Sequence, residues 1–524
     1  MYRAYGINTS FDNNKSRNIT WSIGCFPTTK AINLCSTDTC STRRSAPDIV
    51  YFMVNYTSLW STALETAESI RTKQVSPAEV MEATLQRIDA INPKINAIIW
   101  RNDEDAMAEA VAATDRIMHS DPESLPPFFG VPIPIKDLTK VAGWPITYGS
   151  WAVPDEPSDE SEFIVDAFRR AGFILTGRTN TPEFGPITAA ENDRYGLSRN
   201  PWNLDLTPGG SSGGAAAAAA AGIFAVTHGN DGGGSIRIPA SCCGLVGMKV
   251  SRGRIPTLVT YWEGGAVEGV LTRDVASTAA ILDATCGPDS GQWYNAPAPD
   301  RPFLAEVGAD PGRLRIGVLN EAPLDMPIDP AYIEAIEITT NALESLGHSI
   351  EQVSLDITPE YLPPLLNVIN SGLADYDADW ERAEPHIQAN LAAARTVDSL
   401  SYVRSVHDLQ RLTRKMMAPW GRDFDVVLAP TMTIQPPRAG EILAAVHEGA
   451  SSGAPAMQVF QMAILTAPFN VSGQPAISLP VHMTSDGVPI GIQLIGCPWG
   501  EATLFRLSSQ LEEAIPWAGR YPPI

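Results

Sequence analysis

No stretch of the sequence approaches the roughly 18 to 20 uninterrupted apolar residues that a membrane span needs, and its start has no continuous apolar run of signal-peptide type. A cytoplasmic protein is the expectation. Basic charge is also in short supply: 37 Lys and Arg stand against 59 Asp and Glu, a formal net charge of −22. That balance opposes attraction to nucleic acid or to anionic membrane surfaces, so neither is an expected partner. Cysteine and histidine are few, seven of each. Cys25, Cys35 and Cys40 fall in the leader and Cys242-Cys243 are adjacent, with no paired metal-ligand spacing, so no metal and no other cofactor is expected. His228 lies seven residues before Ser235 without a partner carboxylate at a recognisable spacing, and reads as structural or surface.

What is present is a chain of 524 residues, 44% hydrophobic, long enough to bury a large core. Residues 1–52 are rich in Asn, Ser, Thr and Cys without periodicity and read as a disordered or non-native leader, with Met53 as an alternative start. Residues 53–524 read as a single domain with a helical cap region at about 360–420. Ser76-Pro77-Ala78-Glu79 is a capping box with proline at the first helical position, and Asn92-Pro93 is expected to end that helix. Buried strands are expected within Phe129–Leu138 and at Phe173–Gly177, with a helix over Glu162–Ala171 between them. An alanine helix over 215–221, closed by Gly222, should lead into a short strand at Ile223–Val226. A Pro, Gly and Asp-rich crossing at 286–312 precedes a strand at Leu314–Leu319 and a helix at Pro330–Leu346. Val426–Ala429, Ala476–Leu479 and Ile490–Ile495 complete the expected strands. The alternation is that of an α/β protein.

Chemistry is carried by two glycine and serine clusters and one lysine. They are Gly209-Gly210-Ser211-Ser212-Gly213-Gly214, Asp231-Gly232-Gly233-Gly234-Ser235-Ile236-Arg237, and Lys136 inside the apolar run Val131–Ile135. Serines framed by glycines place hydroxyls on a tightly turned backbone whose N–H groups can bind an oxyanion, but a serine needs a base. A buried lysine can be that base, because desolvation lowers its pKa from near 10.4. Gly210–Gly214 formally matches a G-x-S-x-G nucleophile elbow with Ser212 at its apex, yet the turn-rich, proline-broken stretch Asn200–Pro208 before it is no buried strand. No S-x-x-K motif occurs before any lysine.

These clusters, with Gly130-Val131-Pro132-Ile133-Pro134-Ile135-Lys136-Asp137, Gly177–Phe184, Arg199–Trp202, Arg237–Ser241, Pro468-Phe469-Asn470 and Gly473–Ala476, resemble the amidase signature family of serine hydrolases from about Leu59 to Trp517. The resemblance implies an α/β amidase signature fold: a large mixed β-sheet core flanked by helices on both sides. It implies Ser235 as nucleophile, Ser211 as a bridging serine after a cis peptide, and Lys136 as terminal base. By the same resemblance the N–H groups of Gly232, Gly233, Gly234 and Ser235 form an oxyanion hole, and Ser212, Asp231 and Arg237 support the site. The implied activity is metal-independent hydrolysis of a small-molecule carboxamide to carboxylate plus amine or ammonia through an acyl-enzyme. Ester or carbamate hydrolysis on the same triad remains an alternative. So do the amide-transferring subunit of a tRNA amidotransferase, which the acidic charge disfavours, and a non-catalytic binding protein. A homodimer is kept open. The stretch His228-Gly229-Asn230-Asp231-Gly232 departs from the threonines usual around the motif aspartate and is similar to the branch that contains cyclic oligoamide hydrolases. Trp144, Tyr148 and Phe184 are candidates for an apolar acyl pocket, with core packing the plainer reading.

Overall fold

Capping and apolar spacing decide where the chain turns helical. In the computed structural model, which describes residues 60–524, Ser76 Oγ accepts the Glu79 N–H at 3.2 Å while Glu79 Oε2 accepts the Ser76 N–H at 2.8 Å. Helix α1 (Pro77–Ile95) follows and buries Val80, Met81, Ile88 and Ile91. It runs past Asn92-Pro93, where an end was expected. Pro93 cannot donate to the carbonyl four residues back, yet the helix continues for only two residues beyond it, and the Asn96 N–H closes the turn on the Asn92 carbonyl.

Further along lie β1 (Ile98–Arg101), β2 (Pro132–Lys136), α2 (Phe163–Ala171) and β3 (Ile174–Thr179). Helix α3 (Gly213–Ala220), β4 (Val226–Asp231), α4 (Arg237–Cys243), β5 (Val246–Lys249) and β6 (Val267–Thr272) follow. The second half contains β7 (Arg315–Val318), α5 (Pro330–Ser345), β8 (Ser349–Gln352), α6 (Leu362–Ser371), α7 (Pro385–Ala394) and α8 (Ser399–Met417). It closes with β9 (Val426–Pro430), α9 (Glu441–Ser452), α10 (Met457–Ala463), β10 (Ala476–Met483) and β11 (Pro489–Ile495).

Eight strands form one mixed sheet in the order β8-β7-β9-β11-β10-β5-β6-β4. The first three are parallel and every later neighbour pair is antiparallel. Strands β9 and β11 are buried along their whole length, as a sheet covered on both faces requires. A second sheet, β1-β3-β2, packs β2 against β4. The large mixed sheet with flanking helices is the architecture that the resemblance implied. Among the described residues no helix is long and apolar enough to cross a membrane.

Helix α3 sits where the two sheets meet, touching β1, β2, β4, β6 and α4. All eight of its residues are buried, and only glycine and alanine allow so close an approach. A Cβ on Gly214 would stand 2.5 Å from the backbone nitrogen of Asn180. The strand expected at Ile223–Val226 instead begins at Val226 and extends through His228 to Asp231. Ile223 and Phe224 belong to the turn closing α3, packed against Ile88 and Ile91. Strands β1, β5, β6 and β8 were not anticipated. The leader expected over residues 1–52 lies outside the described residues.

Candidate active site

Lys136 is the last residue of β2 and is fully buried, as are Ile133 and Ile135 of the same strand. Its Nζ lies 2.7 Å from Ser211 Oγ, 2.9 Å from Ser212 Oγ and 2.7 Å from Asn230 Oδ1. Burial pushes the ammonium down from 10.5 to about 7, against the pull of the Glu268 and Asp231 carboxylates. The Lys136 backbone N–H is donated to His228 Nδ1 at 3.2 Å, and His228 Nε2 meets Glu268 Oε2 at 2.7 Å. With Nδ1 accepting, the ring proton sits on Nε2 and points at Glu268, so this imidazole has no lone pair left for a serine. Glu268 is the carboxylate that sequence spacing did not reveal: the β4–β6 pairing carries it into reach.

The Gly210–Ser211 peptide is cis. Ser212 takes the N-cap position of α3, its N–H bound to the Ser235 carbonyl at 3.2 Å and its hydroxyl to the Asn230 carbonyl at 3.2 Å. The two glycine clusters are thereby tied by main chain. The Ser211 hydroxyl has Lys136 Nζ as its one hydrogen-bond partner among the described residues, accepting from the ammonium or donating to the lone pair of the neutral amine. Ser235, between β4 and α4, is half-buried, and its Oγ makes no hydrogen bond among them. Contact between Lys136 and Ser211 is thus formed, whereas a hydrogen bond between the Ser211 and Ser235 hydroxyls is not.

Asp231 and Arg237 form a fully buried ion pair at 3.0 Å. Burial alone would raise the Asp231 carboxyl, but Arg237, Lys249 and Asn470 outweigh it and hold the group well below the usual carboxylate range. Its oxygens also accept the N–H groups of Gly234 at 2.7 Å and Ile236 at 3.2 Å. The Gly234 N–H, one of the four expected to face an oxyanion, is donated to Asp231 Oδ1 here. The N–H groups of Gly232, Gly233 and Ser235 have no such commitment. Asn470 was read only as part of a resembling block. It donates to the Asp231 carbonyl and accepts from Arg237 Nη2 at 2.6 Å, locking the loop to the C-terminal half.

Ser235, Gly232 and Gly233 line a cavity of about 180 Å³ whose other walls include Ile238, Leu362, Leu366, Phe460 and Ile464, with no charged side chain. A second cavity, about 640 Å³, carries Arg252, Glu263 and Arg414. Gly232 and Trp262 border both. Of the three aromatic candidates, Trp144 packs on Trp100 and Arg178, and Tyr148 stacks on Phe184. Phe184 lines a small cavity beside Pro186 and Trp262.

Comparison with known proteins places these features in context. The sequence profile of the Amidase family matches residues 79–505. A 6-aminohexanoate-cyclic-dimer hydrolase of Paenarthrobacter ureafaciens is 37% identical over 499 residues, spanning 89% of this chain and 97% of the relative. The solved structure of a 6-aminohexanoate cyclic dimer hydrolase complexed with substrate superposes with a TM-score of 0.82 at 34% identity, covering 89% of this chain and 99% of that one. A bacterial aryl acylamidase structure gives a TM-score of 0.79 at 26% identity, covering 88% and 98%.

Proposed function

This chain belongs to the Amidase family and hydrolyses amides, and on that premise we propose that Ser235 is its nucleophile, Ser211 its proton relay and Lys136 its base, acting on neutral, largely apolar small-molecule carboxamides. Ser235 Oγ attacks the amide carbonyl and passes its proton to Ser211, whose own proton moves to Nζ. A neutral Lys136 amine donates two hydrogens, to Ser212 Oγ and Asn230 Oδ1, and keeps its lone pair for Ser211. Once protonated, the ammonium has three protons for three acceptors at 2.7 to 2.9 Å, which stabilises the charge formed during attack.

The N–H groups of Gly232, Gly233 and Ser235 receive the developing oxyanion; one such donor is typically worth about 3 to 4 kcal/mol. Collapse returns the proton through Ser211 to the leaving nitrogen and leaves an ester on Ser235. Water, deprotonated by the same relay, then releases the carboxylate. The acyl group stays on Ser235 and so occupies the uncharged cavity, while the leaving amine faces the one bearing Arg252 and Glu263.

The observation that carries this reading is the 2.7 Å contact between a fully buried Lys136 and Ser211, beside an uncharged cavity that contains Ser235. The test is a panel of aryl anilides, aliphatic amides, cyclic oligoamides, esters and linear amides with a charged acyl end, with mass spectrometry of the trapped enzyme. Neutral apolar amides should give the highest kcat/KM and an acyl adduct on Ser235. Preference for charged acyl groups, or an adduct elsewhere, would overturn it.

A further inference from the structure

Glu384, His386 and His447 converge where α7 meets α9, away from the walls of the cavity around Ser235. Glu384 precedes α7, His386 lies in its first turn, and His447 reaches across from α9. Glu384 Oε2 is 3.4 Å from His386 Nδ1 and 3.3 Å from His447 Nε2. All three donor atoms lie within 4.8 Å of one another.

Hydrogen bonding accounts for only part of this cluster, pairing His447 Nε2 with Glu384 Oε2 at 3.3 Å. His386 is 6% exposed, yet neither of its ring nitrogens has a hydrogen-bond partner, the approach to Glu384 being misaligned. A buried imidazole with both nitrogens unsatisfied is costly and calls for a ligand. Around it the carboxylate is held firmly: Glu384 Oε1 accepts the Asp193 N–H at 2.7 Å, and the Glu384 N–H is donated to Glu183 Oε2 at 2.7 Å. His447 is 25% exposed and opens the cluster to solvent.

We propose that Glu384, His386 and His447 bind a divalent transition-metal ion, zinc by preference, which clamps the start of α7 to α9. Two imidazoles and one carboxylate are a donor set of zinc. Zinc bonds of about 2.0 to 2.1 Å in a tetrahedron separate ligand atoms by about 3.3 to 3.4 Å, and two of the three separations here already have that value. The fourth position falls to water on the exposed side of His447. The ion would satisfy the orphaned His386 nitrogen and give the carboxylate a charge partner. Its role is structural: Ile387 and Asn390 of α7 wall the small cavity beside Phe184 and Pro186, so the clamp steadies that wall without touching the reacting atoms.

The test uses the full chain stripped with a chelator and titrated with Co²⁺, followed by visible absorption and by equilibrium dialysis. The wild type should bind one equivalent of cobalt that the His447→Ala and His386→Ala chains do not bind at the same concentration. Affinity should fall at least tenfold in each, zinc should displace the cobalt, and saturating zinc should raise Tm by a few degrees in the wild type only. Cooperative thermal melts of both variants establish that they fold. Wild type and His447→Ala binding cobalt equally, or neither binding it, would overturn the proposal.

Discussion

His228 Nδ1 accepts the backbone N–H of Lys136 at 3.2 Å, so the histidine nearest the proposed machinery grips the main chain of the base instead of taking a proton from a serine. Its other nitrogen is anchored on Glu268, and the pair fixes where β2 delivers the amine. His228→Ala should lower kcat roughly 10- to 100-fold with KM little changed. It should also cost about 1 to 3 kcal/mol of stability, because the buried Glu268 carboxylate would lose its N–H donor. Glu268→Gln keeps an acceptor for Nε2–H and should retain most activity. Steady-state kinetics with urea unfolding checks both, and a KM change with kcat intact would argue against positioning.

Lys136 acts as a base only when neutral, so kcat/KM should rise through about pH 7 and level off above it. The same group shapes stability. Between about 7 and 10.5 the unfolded chain holds one proton more than the folded chain, so this lysine's contribution is least favourable below 7 and improves by about 1.4 kcal/mol per pH unit across that window. Lys136→Met should lose several orders of magnitude in rate and lack that slope. Unfolding of both proteins at about pH 6 and about pH 9 measures the difference; parallel pH dependences would show that the amine is not buried uncharged.

Ser235→Ala should abolish turnover, by about five orders of magnitude or more, and eliminate the acyl adduct. The side chain is half-buried and makes no hydrogen bond among the described residues, so Tm should move by no more than a degree or two. Intact protein mass spectrometry and a thermal melt on the same sample test both halves.

A methyl at Gly232 would overlap the Trp262 indole ring. Gly232→Ala should therefore cost about 100-fold in kcat/KM by shifting the loop that presents the Ser235 N–H. Replacing the indole relieves the collision, so the double variant Gly232→Ala with Trp262→Ala should be more active than the two separate losses would give together. A double-mutant cycle on kcat/KM decides; strictly additive losses would mean that the ring yields freely.

Much of the site was legible because its residues are rare in such settings: a lysine after an apolar strand, and serines between glycines. The capping box at Ser76–Glu79 and the strands at Val426, Ala476 and Ile490 were equally plain, each matching a local rule. What escaped depended on pairing. Val246-Gly-Met-Lys249 and Val267-Glu-Gly-Val-Leu-Thr272 look too short and too interrupted by glycine to be strands until β10 and β4 give them neighbours. Strand β4 is polar in composition, and it is stable only because His228, Asn230 and Asp231 each find a buried partner from elsewhere in the chain. The hydrogen bond from the Gly234 N–H to Asp231 is likewise a matter of loop shape. The cluster at Glu384 was hidden by distance, His447 lying 63 residues away.

The bare surface of α3 sets a limit on how this protein can change. Its alanines touch both sheets with no flexible side chain to absorb an intruding group. A larger residue there would be transmitted to Ser211 and Ser212 as a shift of the whole rod. Laboratory evolution toward new substrates should accordingly collect its accepted substitutions on α6, α8 and α10, whose side chains face open space, and leave the alanine rod as it is.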